Sequence, residues 1–206
     1  MPDAEHPQIY LITPPEFDFR EFPEEMARVL DSTEVACVRL ALATSDEDTI
    51  LRSADALREI THARDIALVI DRHVLLAERL GLDGVHLTDG ARSVRAARKQ
   101  LGEDAIVGSF CGDSRHDGMN AGESGADYVS FGPVGTSTLG DGSIAEHELF
   151  EWWSQMIELP VVAEGALTMD LVRALAPVTD FFGLGSEIWK TEDAGAALVA
   201  FAKAMQ

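Results

Sequence analysis

The chain has 206 residues, 46% of them hydrophobic, and a net charge of −20 from 36 acidic and 16 basic side chains. This length and balance are typical of a globular protein with a substantial core, and no apolar run approaches the ~20 residues of a membrane span. So negative a field repels nucleic acid and anionic membranes, which excludes both classes of partner.

Other features of the composition predict a cytoplasmic protein. Residues 1–6 lack the basic-then-apolar layout of a signal peptide. Cys37 and Cys111 lie in apolar surroundings and are expected to be free thiols. An anionic ligand entering the negative field needs local compensation from backbone N–H groups, a few bases or a metal. A homodimer is left open.

Strand-like and helix-like segments alternate along the whole chain. Short apolar runs predict strands over residues 8–13, 36–42, 66–70, 84–87, 106–110, 128–132, 160–163 and 180–184. Helices are predicted over residues 22–32, 45–63, 74–80, 93–101, 117–122, 145–157, 168–176 and 193–205. Eight strand–helix units in strict alternation predict one domain over residues 1–206, a single (β/α)8 TIM barrel.

Two local signals concern the ends of these elements. Ser45 is expected to open the second helix with a capping box. Asp83, Asp127 and Asp180 each directly precede a strand. Because this places them at the amino-terminal ends of the strands, where barrels keep stability rather than chemistry, we expect them to be structural.

The last two strands predict an anion site. Strand seven ends in Glu164 and Gly165, and strand eight is followed by Gly185 and Ser186, just before helix-compatible segments. Glycine lets a ligand approach the backbone closely, and in TIM barrels the loops after strands seven and eight frequently hold a phosphate. We therefore expect a phosphorylated small molecule as ligand. A side chain at Gly165 should clash with the bound ligand and should lower the stability of the fold only modestly.

Ionisable side chains follow the other strands. Asp71 and Arg72 end strand three, where function is favoured, although the two could form only a structural ion pair. His86 lies between two apolar residues of strand four and is equally compatible with a hydrogen-bonded core histidine and a ligand contact. The Gly/Thr/Ser-rich loop over residues 135–142 is compatible with a phosphate lid or with a flexible connector.

Several segments resemble one enzyme family over nearly the whole chain. They are residues 10–13 (YLIT), 83–87 (DGVHL), 125–134 (GADYVSFGPV) and 136–138 (TST). They are similar to thiamine-phosphate synthases and the related thiazole tautomerases. The resemblance implies a (β/α)8 barrel, and for the synthases Mg²⁺-dependent coupling of a pyrimidine pyrophosphate to a thiazole phosphate. Gly165, Ser186, Thr136 and Thr138 match family positions on the thiazole-phosphate side.

The pyrophosphate side departs from the family. The Gln-Leu-Arg-x-Lys pattern is replaced by residues 39–43 (RLALA), which begin with Arg39 and lack the expected arginine and lysine. In the Asn-Asp-Arg pattern Asp71 stands for Asn and Arg72 for the metal-binding aspartate, unless the alignment shifts by one residue. The second metal aspartate falls on Ala91, two places from Asp89. The first glycine of Gly-Gly-Ile is Glu164.

Three functions therefore remain open. The first is a divergent synthase-like protein that binds a phosphorylated ligand, with Mg²⁺ if coupling survives and Arg39, Asp71, Arg72 and Asp89 replacing the missing groups. The second is acid–base chemistry on a phosphorylated substrate, with Asp71, His73, His86 and Glu164 transferring protons. The third is a non-catalytic ligand-binding barrel. Whether the chain is an enzyme is thus left open.

Overall fold

Eight parallel strands close into a barrel in the computed structural model, which describes residues 6–206. Each strand pairs with the next along the chain, and the eighth pairs with the first, with Leu11 opposite Leu184. The strands are β1 (Gln8–Ile12), β2 (Cys37–Leu40), β3 (Ala67–Asp71), β4 (Gly84–Leu87), β5 (Ile106–Phe110), β6 (Tyr128–Phe131), β7 (Val161–Glu164) and β8 (Phe181–Leu184). The predicted TIM barrel is confirmed. Residues 1–5, which bear on the predicted lack of a signal peptide, lie outside the described residues.

A helix follows each strand and covers the outside of the barrel. The helices are α1 (Phe22–Leu30), α2 (Glu47–His62), α3 (Val74–Leu80), α4 (Val94–Leu101), α5 (Arg115–Glu123), α6 (His147–Met156), α7 (Met169–Leu175), α8 (Ser186–Trp189) and α9 (Ala194–Ala204). A short 3₁₀ helix (Ala176–Val178) continues α7. None of the helices within residues 6–206 has both the length and the apolar character required to cross a bilayer.

Alternation along the strands divides the core into two parts. Successive side chains of a strand point to opposite faces. Leu11 and Val129 belong to the large cluster that includes the apolar faces of the helices. Their neighbours Tyr10 and Tyr128 belong to a smaller cluster with Val162, contributed by β1, β2, β3, β6 and β7. The smaller cluster fills the inside of the barrel, beneath the carboxyl ends of the strands.

The three aspartates that precede strands are structural, as predicted. The carboxylate of Asp83 accepts the N–H of Leu68 (2.7 Å), and the carboxylates of Asp127 and Asp180 accept the N–H groups of Val107 (2.7 Å) and Val161 (2.8 Å). In each case the aspartate precedes one strand and binds a backbone N–H near the start of the preceding strand. This repeated contact aligns neighbouring strands at the bottom of the barrel.

Two predicted helix starts differ from the structure. The cap of α2 is Asp46, not Ser45, because the Asp46 carboxylate accepts the N–H of Thr49 (2.9 Å). The fifth helix begins two residues before the predicted start at residue 117, since the Ser114 hydroxyl accepts the N–H of Asp117 (3.1 Å). In both cases the residue whose side chain caps the amino-terminal N–H groups determines where the helix begins.

Candidate functional site

A cavity of about 560 Å³ opens at the carboxyl ends of β1, β2, β7 and β8. Gly165, Gly185 and Ser186, the residues predicted to hold an anion, all line it. They come from two different strand–helix connections, which the barrel brings together because β7 and β8 are hydrogen-bonded neighbours. The cavity therefore lies on the face of the barrel where TIM-barrel enzymes carry their active sites.

An ion pair between Arg39 and Glu164 forms part of the cavity lining. Arg39 Nη2 donates to Glu164 Oε2 (2.8 Å) and Nη1 donates to Oε1 (3.2 Å), a bidentate contact across the barrel. Both residues are buried. Burial opposes the charged guanidinium, but the carboxylates of Glu164 and Asp71 outweigh it, and the pKa of Arg39 is raised well above its ordinary value. Arg39 is thus a permanent cation, and its charge is already balanced by neighbouring carboxylates.

Asp71 is the second carboxylate beside Arg39. Its Oδ1 lies 3.4 Å from Arg39 Nε, and neither atom makes a hydrogen bond within residues 6–206. Burial raises the pKa of Asp71 from 3.8 to about 6, with Arg39 lowering it in part and Glu164 raising it further. The ion pair is therefore with Arg39 rather than with the neighbouring Arg72. Arg72 is exposed and has a φ of 62°, a left-handed conformation that is uncommon outside glycine.

His86 lies inside the barrel and outside the cavity lining. A guanidinium can only donate, so the contact between Arg39 Nη1 and His86 Nε2 (3.0 Å) makes Nε2 the acceptor and places the ring proton on Nδ1. Nδ1 then donates to the Tyr128 hydroxyl (2.9 Å), which is 2.6 Å from the Tyr10 hydroxyl. Burial and then Arg39 hold the pKa of His86 well below 6.5. Of the two alternatives for His86, the structure shows the core histidine, and it places this predicted catalytic residue away from the ligand space.

The threonines of the loop over residues 135–142 are exposed. Thr136 and Thr138, both predicted to bind phosphate, are not among the cavity-lining residues, whereas Ser137 and Leu139 are. Successive side chains of the loop point in opposite directions, so Ser137 and Leu139 face the cavity while Thr136 and Thr138 face solvent. Phosphate binding by Thr136 and Thr138 therefore stays a prediction, and the structure places both side chains outside the lining of this cavity.

Gly165 is required by the fold itself. Its φ is 89°, and a Cβ at this position would lie 2.9 Å from Pro133 Cα and 2.9 Å from Leu139 Cδ2. A side chain is therefore excluded by backbone conformation and by packing, before any ligand is considered. The expectation that substitution of Gly165 costs little stability is wrong, so this position cannot report on ligand binding alone.

The predicted magnesium ligands do not assemble. Asp89 is exposed, and one of its carboxylate oxygens accepts the Ser93 hydroxyl (2.6 Å). Asp71 faces the guanidinium of Arg39, and no group of three or more His, Cys, Asp or Glu side chains among residues 6–206 is arranged to hold a metal. Mg²⁺ is usually bound by one or two free carboxylates together with substrate phosphates. Asp71 faces a cation and Asp89 faces Ser93, so Mg²⁺ binding by these two aspartates stays a prediction.

One residue at the cavity was missed in the sequence. The carboxylate of Glu187 accepts the N–H of Leu167 (Oε1, 3.0 Å) and the N–H of Gly185 (Oε2, 3.0 Å). It thus bridges the connections that follow β7 and β8. An acidic residue two places after the glycine of an anion-binding turn is the signal that could have identified it.

Three residues that depart from the pattern expected from the resemblance contact one another. Arg39 stands where glutamine is expected, Glu164 where the first glycine of Gly-Gly-Ile is expected, and Asp71, unless the alignment shifts by one residue, where asparagine is expected. In the structure both carboxylates lie against the same guanidinium. A Cβ at Gly183 would lie 2.8 Å from Glu164 Cβ, so the glycine beside Glu164 leaves the room that this side chain needs. The guanidinium of Arg39 therefore compensates the charges of the carboxylates at the other two positions.

The comparisons with known proteins agree with this resemblance. A family model described as thiamine monophosphate synthase matches residues 9–204. A thiamine-phosphate synthase of Rhodospirillum centenum is 42% identical over 197 residues, covering 94% of each chain. A thiamine-phosphate synthase of Erythrobacter litoralis is 40% identical, covering 98% of each chain. The similarity thus extends over whole proteins and not over a shared fragment.

Solved structures match the fold. Thiamine phosphate pyrophosphorylase from Pyrococcus furiosus superimposes with a TM-score of 0.80 at 24% identity, covering 96% of this chain and 95% of that one. The 3-hexulose-6-phosphate synthase from Salmonella typhimurium superimposes with a TM-score of 0.71 at 14% identity, covering 96% of this chain and 98% of that one. At these identities the superpositions establish the barrel alone. The family match and the relatives above 30% identity go further, and they show that this chain belongs to the thiamine monophosphate synthase family.

Proposed function

We propose that this chain binds a small phosphorylated heterocycle of the thiazole-phosphate type in the mouth cavity. The observation that carries the proposal is the convergence of Gly165, Gly185 and Ser186 on one cavity from two separate connections. Phosphates bind where glycine exposes backbone N–H groups and a hydroxyl can donate as well. The names of the relatives point to the same class of ligand.

The apolar wall of the cavity supports a ring-shaped ligand. Phe17 and Phe22 stack with centroids 4.3 Å apart, and Phe22 meets Trp189 edge-on at 5.0 Å. All three side chains line the cavity, whose volume falls within the range of small-molecule sites. Aromatic side chains of this kind bind planar heterocycles through stacking and edge contacts.

Coupling to a pyrimidine pyrophosphate is the reaction implied by the family name, and it is less well supported by the site. The basic residues that line the cavity within residues 6–206 are Arg39 and Lys190. Arg39 is bound to Glu164, so Lys190 alone remains to receive a leaving group with several negative charges. Losing such charge stabilisation raises the barrier by several kcal/mol. We therefore propose that the protein has retained binding of the phosphorylated ligand. An activity assay decides whether it also carries out the coupling reaction.

Calorimetry with thiazole phosphate is the direct test. We expect the wild-type protein to bind, and Ser186→Ala to weaken binding by about 1–2 kcal/mol, the contribution of one hydrogen bond to a charged group. Ser154→Ala on α6, whose hydroxyl binds only a backbone carbonyl of its own helix, is the matched control and should bind as the wild type does. No binding by folded wild-type protein would remove the proposal.

The same protein should be incubated with both thiamine precursors and added Mg²⁺. Formation of thiamine phosphate would assign the synthase reaction to this chain. Binding of thiazole phosphate without turnover would support the non-catalytic ligand-binding barrel.

One observation favours acid–base chemistry as a second candidate. Asp71 is not among the cavity-lining residues, but it lies 3.4 Å from Arg39, which does line the cavity. Because the pKa of Asp71 is about 6, this carboxyl group can exchange a proton near neutral pH close to the ligand. As a base it must be ionised, so exchange of ligand protons with D₂O should accelerate as pH rises through about 6. We expect Asp71→Asn to abolish this exchange and Asp89→Asn to preserve it, measured by proton NMR. Exchange that persists in Asp71→Asn would rule out Asp71 as the base.

A further inference from the structure

Glu187 occupies a backbone donor that an anionic ligand in the cavity would use, the N–H of Gly185. Its two carboxylate oxygens accept one N–H from each of the connections after β7 and β8, both at 3.0 Å. Gly165 and Ser186 of these connections line the cavity, as does Glu187 itself. A carboxylate is an anion with two acceptor oxygens, and here one oxygen binds the N–H of the cavity-lining Gly185 while the other binds the N–H of Leu167 behind the cavity lining.

The charge of the cavity adds to this competition. Glu16, Glu25, Glu164 and Glu187 line it together with two basic residues. One of these bases is bound to Glu164, so the charges of the remaining carboxylates are only partly balanced. An entering phosphate therefore has to displace one carboxylate from its hydrogen bonds and also approach others.

We propose that Glu187 is a built-in competitor for anionic ligands and determines how tightly this chain binds phosphate. The inference rests on the proposed function, because it concerns the same cavity. Ligand phosphate binds the Gly185 N–H group only when the Glu187 carboxylate has moved away from it. The wild-type protein accordingly binds phosphorylated ligands weakly. The free energy needed to break the Glu187 hydrogen bonds has to be supplied by contacts between the cavity and the non-phosphate part of the ligand.

Glu187→Gln tests the proposal with little change in shape. The amide keeps the size of the side chain but lacks the charge and can accept only through one oxygen, so it is displaced more easily. We expect the Glu187→Gln variant to bind thiazole phosphate and inorganic phosphate on the order of tenfold more tightly than wild type. This is the change expected when one competing charge-assisted hydrogen bond is removed. Glu187→Ala removes the contact entirely and should bind at least as tightly as the glutamine variant.

Glu25→Gln is the matched control. It removes one negative charge from the same cavity, but the side chain of Glu25 makes no hydrogen bond to either connection within residues 6–206. We expect its affinity to stay close to that of wild type. An equal gain in Glu25→Gln and Glu187→Gln would overturn the inference, because the effect would then come from the general field.

The outcomes separate this inference from the function on which it rests. If wild-type protein and both Glu187 variants bind phosphate equally, the competitor role is wrong and phosphate binding stands. If the folded wild-type protein binds neither probe in calorimetry, the proposed function itself fails, whatever the variants do. Thermal melts of each variant, run alongside, identify any loss of fold, and the alanine variant keeps the test decisive should the glutamine variant not fold.

Discussion

Replacing Glu164 with glutamine is expected to lower the free energy of unfolding by about 3–5 kcal/mol, the usual result of removing one partner of a buried ion pair. Glu164 and Arg39 are only 2% and 6% exposed, and the guanidinium cannot lose its proton inside the barrel. Without the Glu164 charge, Asp71 at 3.4 Å is the one remaining carboxylate partner of Arg39 among residues 6–206. Urea denaturation of the two proteins measures the difference.

The double variant distinguishes a coupled pair from two independent contributions. When Glu164→Gln is combined with Arg39→Met, no uncompensated cation remains. Asp71 loses the cation that lowers its pKa of about 6 and is protonated below that pH, where we expect most of the lost stability to return. Asp48→Asn is the control, since the Asp48–Arg52 pair is exposed on α2 and its loss should change stability by no more than about 0.5 kcal/mol. Additive losses in the double variant would contradict the compensation inferred from the structure.

Restoring the family residues on the pyrophosphate side should raise affinity for inorganic pyrophosphate on the order of 100-fold, because two new cations each supply a charge-assisted hydrogen bond. The variant combines Arg39→Gln, Ala41→Arg, Ala43→Lys and Glu164→Gly. Arg39 and Glu164 have to be exchanged together, since each would otherwise be left buried without its partner. Calorimetry with inorganic pyrophosphate requires no turnover and so reports on the binding site alone.

The control for this prediction is Ala41→Arg with Ala43→Lys in the otherwise wild-type chain. Ala41 lines the cavity, so a new arginine there would lie near Glu164 and share its charge with that carboxylate. We therefore expect a smaller gain in pyrophosphate affinity than in the fourfold variant. If the two variants gain equally, the Arg39–Glu164 pair does not interfere with anion binding, and the departures from the family have another cause.

The fold could be predicted because its signals are local. Each strand is a short apolar run, and parallel strands buried on both faces need no other pattern. The strict alternation of eight such runs with helix-compatible segments then leaves the closed barrel as the natural arrangement. The structural role of the aspartates before strands β4, β6 and β8 could be predicted for the same reason. The position of a residue relative to its strand determines which end of the barrel the residue occupies.

The candidate site was predicted only in outline. The sequence determined which residues follow the strands, and the barrel brings Arg39, Glu164 and Gly165 to one cavity as expected. It did not determine that Arg39 and Glu164 are bound to each other, because they are 125 residues apart and either charge could have faced a ligand. The inward and outward sides of the loop at Thr136 and Thr138 also depend on a conformation that residue types do not specify.

Sequence alone therefore determined the architecture, the end of the barrel that holds the site and the family resemblance, because periodicity, turn residues and motifs are properties of neighbouring positions. Tertiary structure decided which charges are available there. Closing the barrel places two carboxylates against one guanidinium and the Glu187 carboxylate on two backbone N–H groups, so groups that appear in the sequence as potential ligand contacts are already bound. Electrostatic interactions act through space with a strength set by distance and burial, and neither is fixed until the chain has folded.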